Sequence, residues 1–72
     1  MTSDEWIAAF AAGIGAEPPS ESEFAEILDL AAVAAHRSER IAAPVACWIA
    51  GRTGRPLSEV MAAAEAVGAE SG

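Results

Sequence analysis

Large apolar residues recur with the period of an α-helix near the start of the chain. These positions are Trp6, Ile7, Phe10 and Ile14. Thr2 and Glu5 lie three residues apart just before this run, as in a capping box at a helix N-terminus. Gly13 and Gly15 end the pattern because glycine favours helix termination. The spacing therefore predicts a first helix over residues 3–14.

A second capping box, Ser20 with Glu23, opens the longest apolar pattern, which predicts a helix over residues 21–40. Its main stripe contains Phe24, Ile27, Leu28, Ala31, Ala34 and Ala35, and it is widened by Leu30, Ala32 and Val33. A helix that is apolar over most of its circumference packs against neighbours on several sides. We therefore expect helix 2 to be the centre of the fold.

Two prolines divide the remaining residues. Pro44 suits the first position of a helix, so we expect helix 3 over residues 44–51, closed by Gly51. Its predicted core face contains Val45, Trp48 and Ile49, with Ile41 leading in. Pro56 begins a predicted helix over 56–67, ended by Gly68, whose core side chains are Leu57, Val60, Met61, Ala64 and Val67.

These elements predict an all-α protein, a compact four-helix bundle of short helices around a long central helix 2. With 72 residues the chain forms one domain, 1–72, whose tail at 69–72 is expected to fray. No alternation of apolar and polar residues indicates a strand. Trp6 and Trp48 are expected to anchor the core; an exposed tryptophan would instead mark a binding face.

Charge and cysteine content narrow the possible partners. The net charge is −7 and lysine is absent, so we expect binding neither to nucleic acid nor to an anionic membrane. The longest apolar run, residues 41–50, is too short to span a bilayer. Cys47 is the one cysteine, which excludes an intramolecular disulfide and suits a reducing compartment. The expected location is the bacterial cytoplasm.

Asp29 and His36 lie seven positions apart on the same side of predicted helix 2. Histidine titrates near neutral pH, so His36 is a candidate proton donor or pH-sensitive contact; alternatively, it stabilises the helix C-terminus. Aspartate is uncommon in mid-helix, so Asp29 is a candidate contact; alternatively, it faces water or caps a neighbouring helix. The two residues are roughly 10 Å apart along the axis, so direct contact is not expected.

The four positive residues fall between positions 37 and 55. Arg40, Arg52 and Arg55 are candidates for an anion pocket because guanidinium groups bind phosphate or carboxylate in bidentate fashion. The alternative is that they cap helix ends and pair with the abundant acids. The sequence shows no nucleophile–base pair and no metal-ligand set, so we predict neither an enzyme nor a bound metal or cofactor.

Four short motifs carry a resemblance to a known domain. They are Asp4-Glu5-Trp6, Leu28-Asp29-Leu30-Ala31, Ala35-His36, and Arg40 followed by Ala43-Pro44. With them the chain resembles a small helical domain of unknown function from high-GC bacteria. That domain occurs alone, or fused to or encoded beside molybdenum cofactor guanylyltransferase. The resemblance implies a link to molybdenum cofactor maturation, with Asp29, His36, Arg40 and Pro44 at matching positions, and it implies no catalytic residues.

The leading expectation is a non-enzymatic accessory or protein-interaction module. It would contact molybdenum cofactor guanylyltransferase or a molybdoenzyme through the surface around Asp29, His36 and Arg40. One alternative is a binder of small anionic ligands (phosphate, pterin or nucleotide) that uses arginine and histidine side chains. Another is a homo-oligomeric structural protein whose exposed alanine face pairs with itself.

Overall fold

Four α-helices follow one another along the part of the chain that the structure describes. The computed structural model describes residues 1–67, and its helices are α1 (Ser3–Gly13), α2 (Glu21–Arg37), α3 (Ala42–Thr53) and α4 (Leu57–Ala66). No strand occurs in this range, so the predicted all-α class and four-helix arrangement are confirmed for it. The predicted stop at Gly68 and the predicted frayed tail, 69–72, lie outside the described residues.

Reciprocal capping boxes begin α1 and α2, as predicted. The Glu5 N–H donates to the Thr2 hydroxyl at 3.1 Å, and the Thr2 N–H donates to the Glu5 carboxylate at 2.8 Å. Ser20 and Glu23 form the same pair of bonds at 3.2 and 2.8 Å. Each box satisfies backbone N–H groups that have no partner within the helix, so both start points are fixed locally.

Helix α2 is the longest, with 17 residues, but it ends at Arg37 rather than at the predicted residue 40. The reason lies at Ser38, whose backbone leaves the helical region at φ −141° and ψ −103°. Its hydroxyl donates to the Ala34 carbonyl at 2.8 Å. Such a side-chain bond competes with continuation of the helix, so Arg40 lies in a turn beyond α2.

Helix α3 is longer at both ends than the predicted range 44–51. It begins at Ala42, so Pro44 is its third residue, where a missing N–H costs nothing because the first four are unpaired within a helix. It continues through Gly51 and stops at Gly54, whose φ of +69° is the left-handed conformation that glycine adopts readily. Gly51 was predicted to close the helix, but glycine is tolerated within a helix and α3 continues past it.

Helix α4 follows Pro56, whose carbonyl accepts from the Glu59 and Val60 N–H groups. The predicted inner face is confirmed for four side chains, which are partly buried: Leu57, Val60, Met61 and Ala64. Val67 lies beyond the last helical residue and is exposed, so its assignment to the core was wrong.

Helix α2 packs against both α3 and α4, whereas α1 makes only slight contact with the rest of the fold. Leu30 of α2 is 3% exposed and Ala50 of α3 is also buried. Ala11 is the buried residue of α1. The chain extends over 42 × 23 × 18 Å. The core of the α2–α4 part is therefore small and consists mainly of one leucine and closely packed alanines.

The face of α3 that packs inward is the opposite of the predicted one. The inward residues are small, and all are buried or partly buried: Ala43, Ala46, Cys47 and Ala50. Val45, Trp48 and Ile49 are more than half exposed, so their assignment to the core was wrong. Small side chains let two helix axes approach closely, and the resulting contact of α2 with α3 leaves the large apolar residues outside.

Trp6 was also predicted to anchor the core and does not. It is 56% exposed, whereas Ala11 on the same helix is buried and Ile7 is partly buried. The inner face of α1 therefore passes through Ile7 and Ala11. The tryptophan lies outside it.

Candidate functional site

Asp29 and His36 both lie on the exposed face of α2. Their separation of seven positions corresponds to about 10 Å along the helix axis, as expected from the sequence. His36 and Arg37 lie in the last turn of α2, where positive charge interacts favourably with the helix dipole. The geometry thus leaves both side chains accessible to a partner.

Arg40 was predicted to continue the row of Asp29 and His36 along one helix. Because α2 ends at Arg37, Arg40 instead lies in the turn before α3. Its carbonyl accepts the Ala43 N–H at 3.2 Å, and its side chain is exposed. The three predicted contact residues are therefore all at the surface, but they do not share one helix.

The other arginines each have a different neighbour. The Arg52 guanidinium lies over the Trp48 ring, 4.9 Å from the centroid, and Arg55 pairs with Glu59 at 3.8 Å on the surface of α4. Arg37 donates to the carbonyl of Glu65. Of these contacts, the pairing of Arg55 with Glu59 is of the acid-pairing kind, whereas Arg52 contacts an aromatic ring. An anion pocket formed by Arg40, Arg52 and Arg55 stays a prediction.

Large apolar side chains are exposed on one side of α1. Trp6 and Phe10 stack with ring centroids 5.2 Å apart and are 56% and 53% exposed; Ile14, at the C-cap, is more exposed still. The three residues are spaced by four positions, so they form one row along the helix. We call Trp6, Phe10 and Ile14 the α1 stripe.

A second exposed apolar surface covers α3 and its N-cap. Its members are Ile41, Val45, Trp48 and Ile49, each more than half exposed. Ile41, Val45 and Trp48 follow the helical period on the face opposite the one packed against α2. Ile49 lies at the edge of this face, where it also lines a groove with Leu30 and Val60. Arg52 lies one turn beyond Trp48 on this same face. We call this surface the α3 face.

An open groove of about 420 Å³ separates α1 from the first half of α2. Its apolar walls include Ile7, Phe24 and Leu28, and two carboxylates, Asp4 and Glu21, also line it. Leu28 is 57% exposed, although it was expected within the apolar stripe of α2. A cavity of this size and polarity accommodates a small ligand or a large side chain.

Cys47 is partly buried in the contact between α3 and α2. Burial raises the pKa of its thiol, and Sγ lies 4.0 Å from the Ile27 carbonyl. A thiol with a raised pKa is a poor nucleophile at neutral pH. Within residues 1–67, no group of three or more His, Cys, Asp or Glu side chains is placed to hold a metal ion.

Trp6 and Trp48 were predicted to lie in the core, whereas both are exposed. The signal that identifies the buried side of α3 is the row of small residues, Ala43, Ala46, Cys47 and Ala50, spaced by three and four. Interpreting that row as the contact face leaves Trp48 outside. On α1 the corresponding row passes through Ile7 and Ala11.

Comparison with known proteins gives a family but no function. None of the described helices is long and apolar enough to cross a membrane. Searches of curated proteins and of solved structures returned no match. A family model described as a domain of unknown function, DUF6457, matches residues 1–71. The chain therefore belongs to the DUF6457 family of domains of unknown function.

Proposed function

We propose that this chain is a non-enzymatic protein-interaction module of the cytoplasm that docks on a larger protein through the α1 stripe. The observation that carries the proposal is the stacked, half-exposed pair Trp6 and Phe10 in line with Ile14. Contiguous exposed aromatic residues on a soluble protein are typical of a binding surface, and tryptophan is enriched at binding hot spots.

The spacing of the α1 stripe fits one common form of recognition. In helix-in-groove binding, an amphipathic helix inserts anchors from successive turns into an apolar groove of its partner. Trp6, Phe10 and Ile14 are such anchors, four residues apart. Helix α1 makes only slight contact with the other helices, so much of its surface is available to a partner.

The resemblance stated above suggests which partners to test. Molybdenum cofactor guanylyltransferase comes first and a molybdoenzyme second. Asp29, His36 and Arg40 are exposed and are proposed to add polar contacts at the edge of the same complex. Charged residues at the rim of an interface contribute to specificity and association rate more than to affinity.

Titration calorimetry of the full chain against the guanylyltransferase tests the proposal. Phe10→Ala should weaken binding about thirtyfold, the effect of removing a hot-spot residue. Ile49→Ala is the matched control, since Ile49 is on the α3 face and is as exposed as Phe10, at 53%. His36→Ala should weaken binding only a few-fold.

Two results would contradict the proposal in different ways. If neither the guanylyltransferase nor a molybdoenzyme binds the wild-type chain, the link to molybdenum cofactor maturation fails. If one of them binds and Phe10→Ala has no more effect than Ile49→Ala, the α1 stripe is not the docking surface.

A further inference from the structure

Trp48 and Arg52 form a projecting pair on the α3 face. The indole is 63% exposed, and the guanidinium carbon lies 4.9 Å from its ring centroid. Helix α3 contains no acidic residue, so Arg52 places a positive charge beside Trp48, while Glu39 borders the other end of the face next to Ile41 and Val45. The pair therefore combines a large apolar side chain with a cation at one point of the surface.

The groove between α1 and α2 has the complementary properties. Its walls are largely apolar, with Ile7, Phe24 and Leu28, and its two charged groups are the carboxylates of Asp4 and Glu21. No lysine or arginine occurs before Arg37, so the groove lies in the acidic half of the chain. An apolar side chain accompanied by a guanidinium group matches this cavity in polarity and in charge.

We infer that the chain self-associates, with the Trp48–Arg52 pair of one copy seated in the α1–α2 groove of another. Trp48 enters between Ile7, Phe24 and Leu28, and Arg52 pairs with Asp4 or Glu21. When each of two copies inserts its Trp48–Arg52 pair into the groove of the other, the assembly closes as a two-fold dimer, the commonest symmetry of soluble oligomers.

The exposed surface is large enough for such a contact. A standard interface covers roughly 800 Å² on each partner, which is a small share of the 5558 Å² of accessible surface of this chain. The large apolar side chains of the α3 face and Leu28 supply the area that the contact would cover.

Charge favours the contact of the α3 face with the groove over a contact between two α3 faces or between two grooves. Two α3 faces placed together would bring Arg52 against Arg52, and two grooves would bring carboxylates together. Like charges placed opposite each other disfavour association. The groove is lined by Asp4 and Ile7, while the α1 stripe follows a different row of the helix, so self-association leaves Trp6, Phe10 and Ile14 free.

Exchanging the two charges tests the inference. Asp4→Arg and Arg52→Glu should each weaken self-association at least about tenfold, measured by sedimentation equilibrium from micromolar to millimolar concentration. An equimolar mixture of the two variants should recover it, because each contact then joins opposite charges. The double variant Asp4→Arg/Arg52→Glu should recover it on its own, for the same reason.

Asp29→Arg is the control, since it changes the net charge as Asp4→Arg does but lies outside the residues that line the groove. It should leave self-association unchanged. Circular dichroism establishes that each variant keeps its helices. The inference is overturned if the wild-type chain stays monomeric at millimolar concentration, if the mixture and the double variant both stay monomeric, or if Asp29→Arg weakens association as much as Asp4→Arg.

Discussion

Helix α1 and the α2–α4 bundle are stabilised in different ways. Helix α1 has a capping box at its start and a glycine stop at its end, yet it makes only slight contact with the other helices. The bundle is stabilised by packing, with Leu30 and Ala50 buried between helices. The comparison shows that one short chain contains both a locally defined helix and a tertiary core.

The two regions also differ in what they expose. In α1 the row through Ile7 and Ala11 is the buried side, and the aromatic row faces outward. In α3 the large residues face outward because the small ones allow a close approach to α2. Both surfaces are candidates for intermolecular contact, for different structural reasons.

The largest expected effect is on the bundle. Leu30→Ala should lower the free energy of unfolding by about 2–5 kcal/mol, because it removes a fully packed side chain and leaves a cavity. Leu28→Ala, on the same helix but 57% exposed, is the matched control and should have a much smaller effect. Urea denaturation followed by circular dichroism measures both. Equal losses for the two variants would contradict the packing described here.

Removing the capping box of α1 and that of α2 should have different effects on stability. Ser20→Ala removes the cap of α2 and should lower the free energy of unfolding of the whole bundle by about 1 kcal/mol. Thr2→Ala should instead reduce the helical content of α1 while leaving the unfolding transition of the bundle nearly unchanged. Amide hydrogen exchange distinguishes local from global opening. A shift of the bundle transition by Thr2→Ala as large as that by Ser20→Ala would show that α1 is coupled to the core.

The smallest expected effect is a pH dependence of the helicity of α1. The hydrogen bonds from the Thr2 N–H and the Thr2 side chain lower the pKa of Glu5 from its ordinary value of 4.5. A lowered pKa in the folded state means that the stabilisation is present above the unfolded-state pKa and is lost as pH falls through the folded-state pKa. The helicity of α1 should therefore decrease on acidification below about pH 4.5.

Glu5→Gln is the control for this pH effect. Its amide oxygen still accepts the Thr2 N–H, but the side chain no longer titrates. In NMR spectra, the Thr2 amide signal should move with pH in the wild-type chain and stay in place in the variant. An identical pH response in both proteins would assign the change to another group.

The elements that the sequence predicted correctly are those set by neighbouring residues. Thr2 with Glu5 and Ser20 with Glu23 fixed two helix starts, and Gly13 fixed one end. The ends at Ser38 and Gly54 were missed because a serine hydroxyl and a left-handed glycine each compete with ordinary helix continuation. Asp29 and His36 could be placed on one side of α2, but their exposure could not be predicted from spacing.

By itself, the sequence determined the all-α class of residues 1–67, the four helices in that range and most of their boundaries, because capping bonds and backbone preferences act over a few residues. Only the tertiary structure decided which face of each helix is buried. Residues 41–50 are almost entirely apolar, so periodicity cannot choose between the two faces of α3. Close approach to α2 selects the small side chains and leaves Trp48 at the surface, and the proposed self-association depends on that outcome.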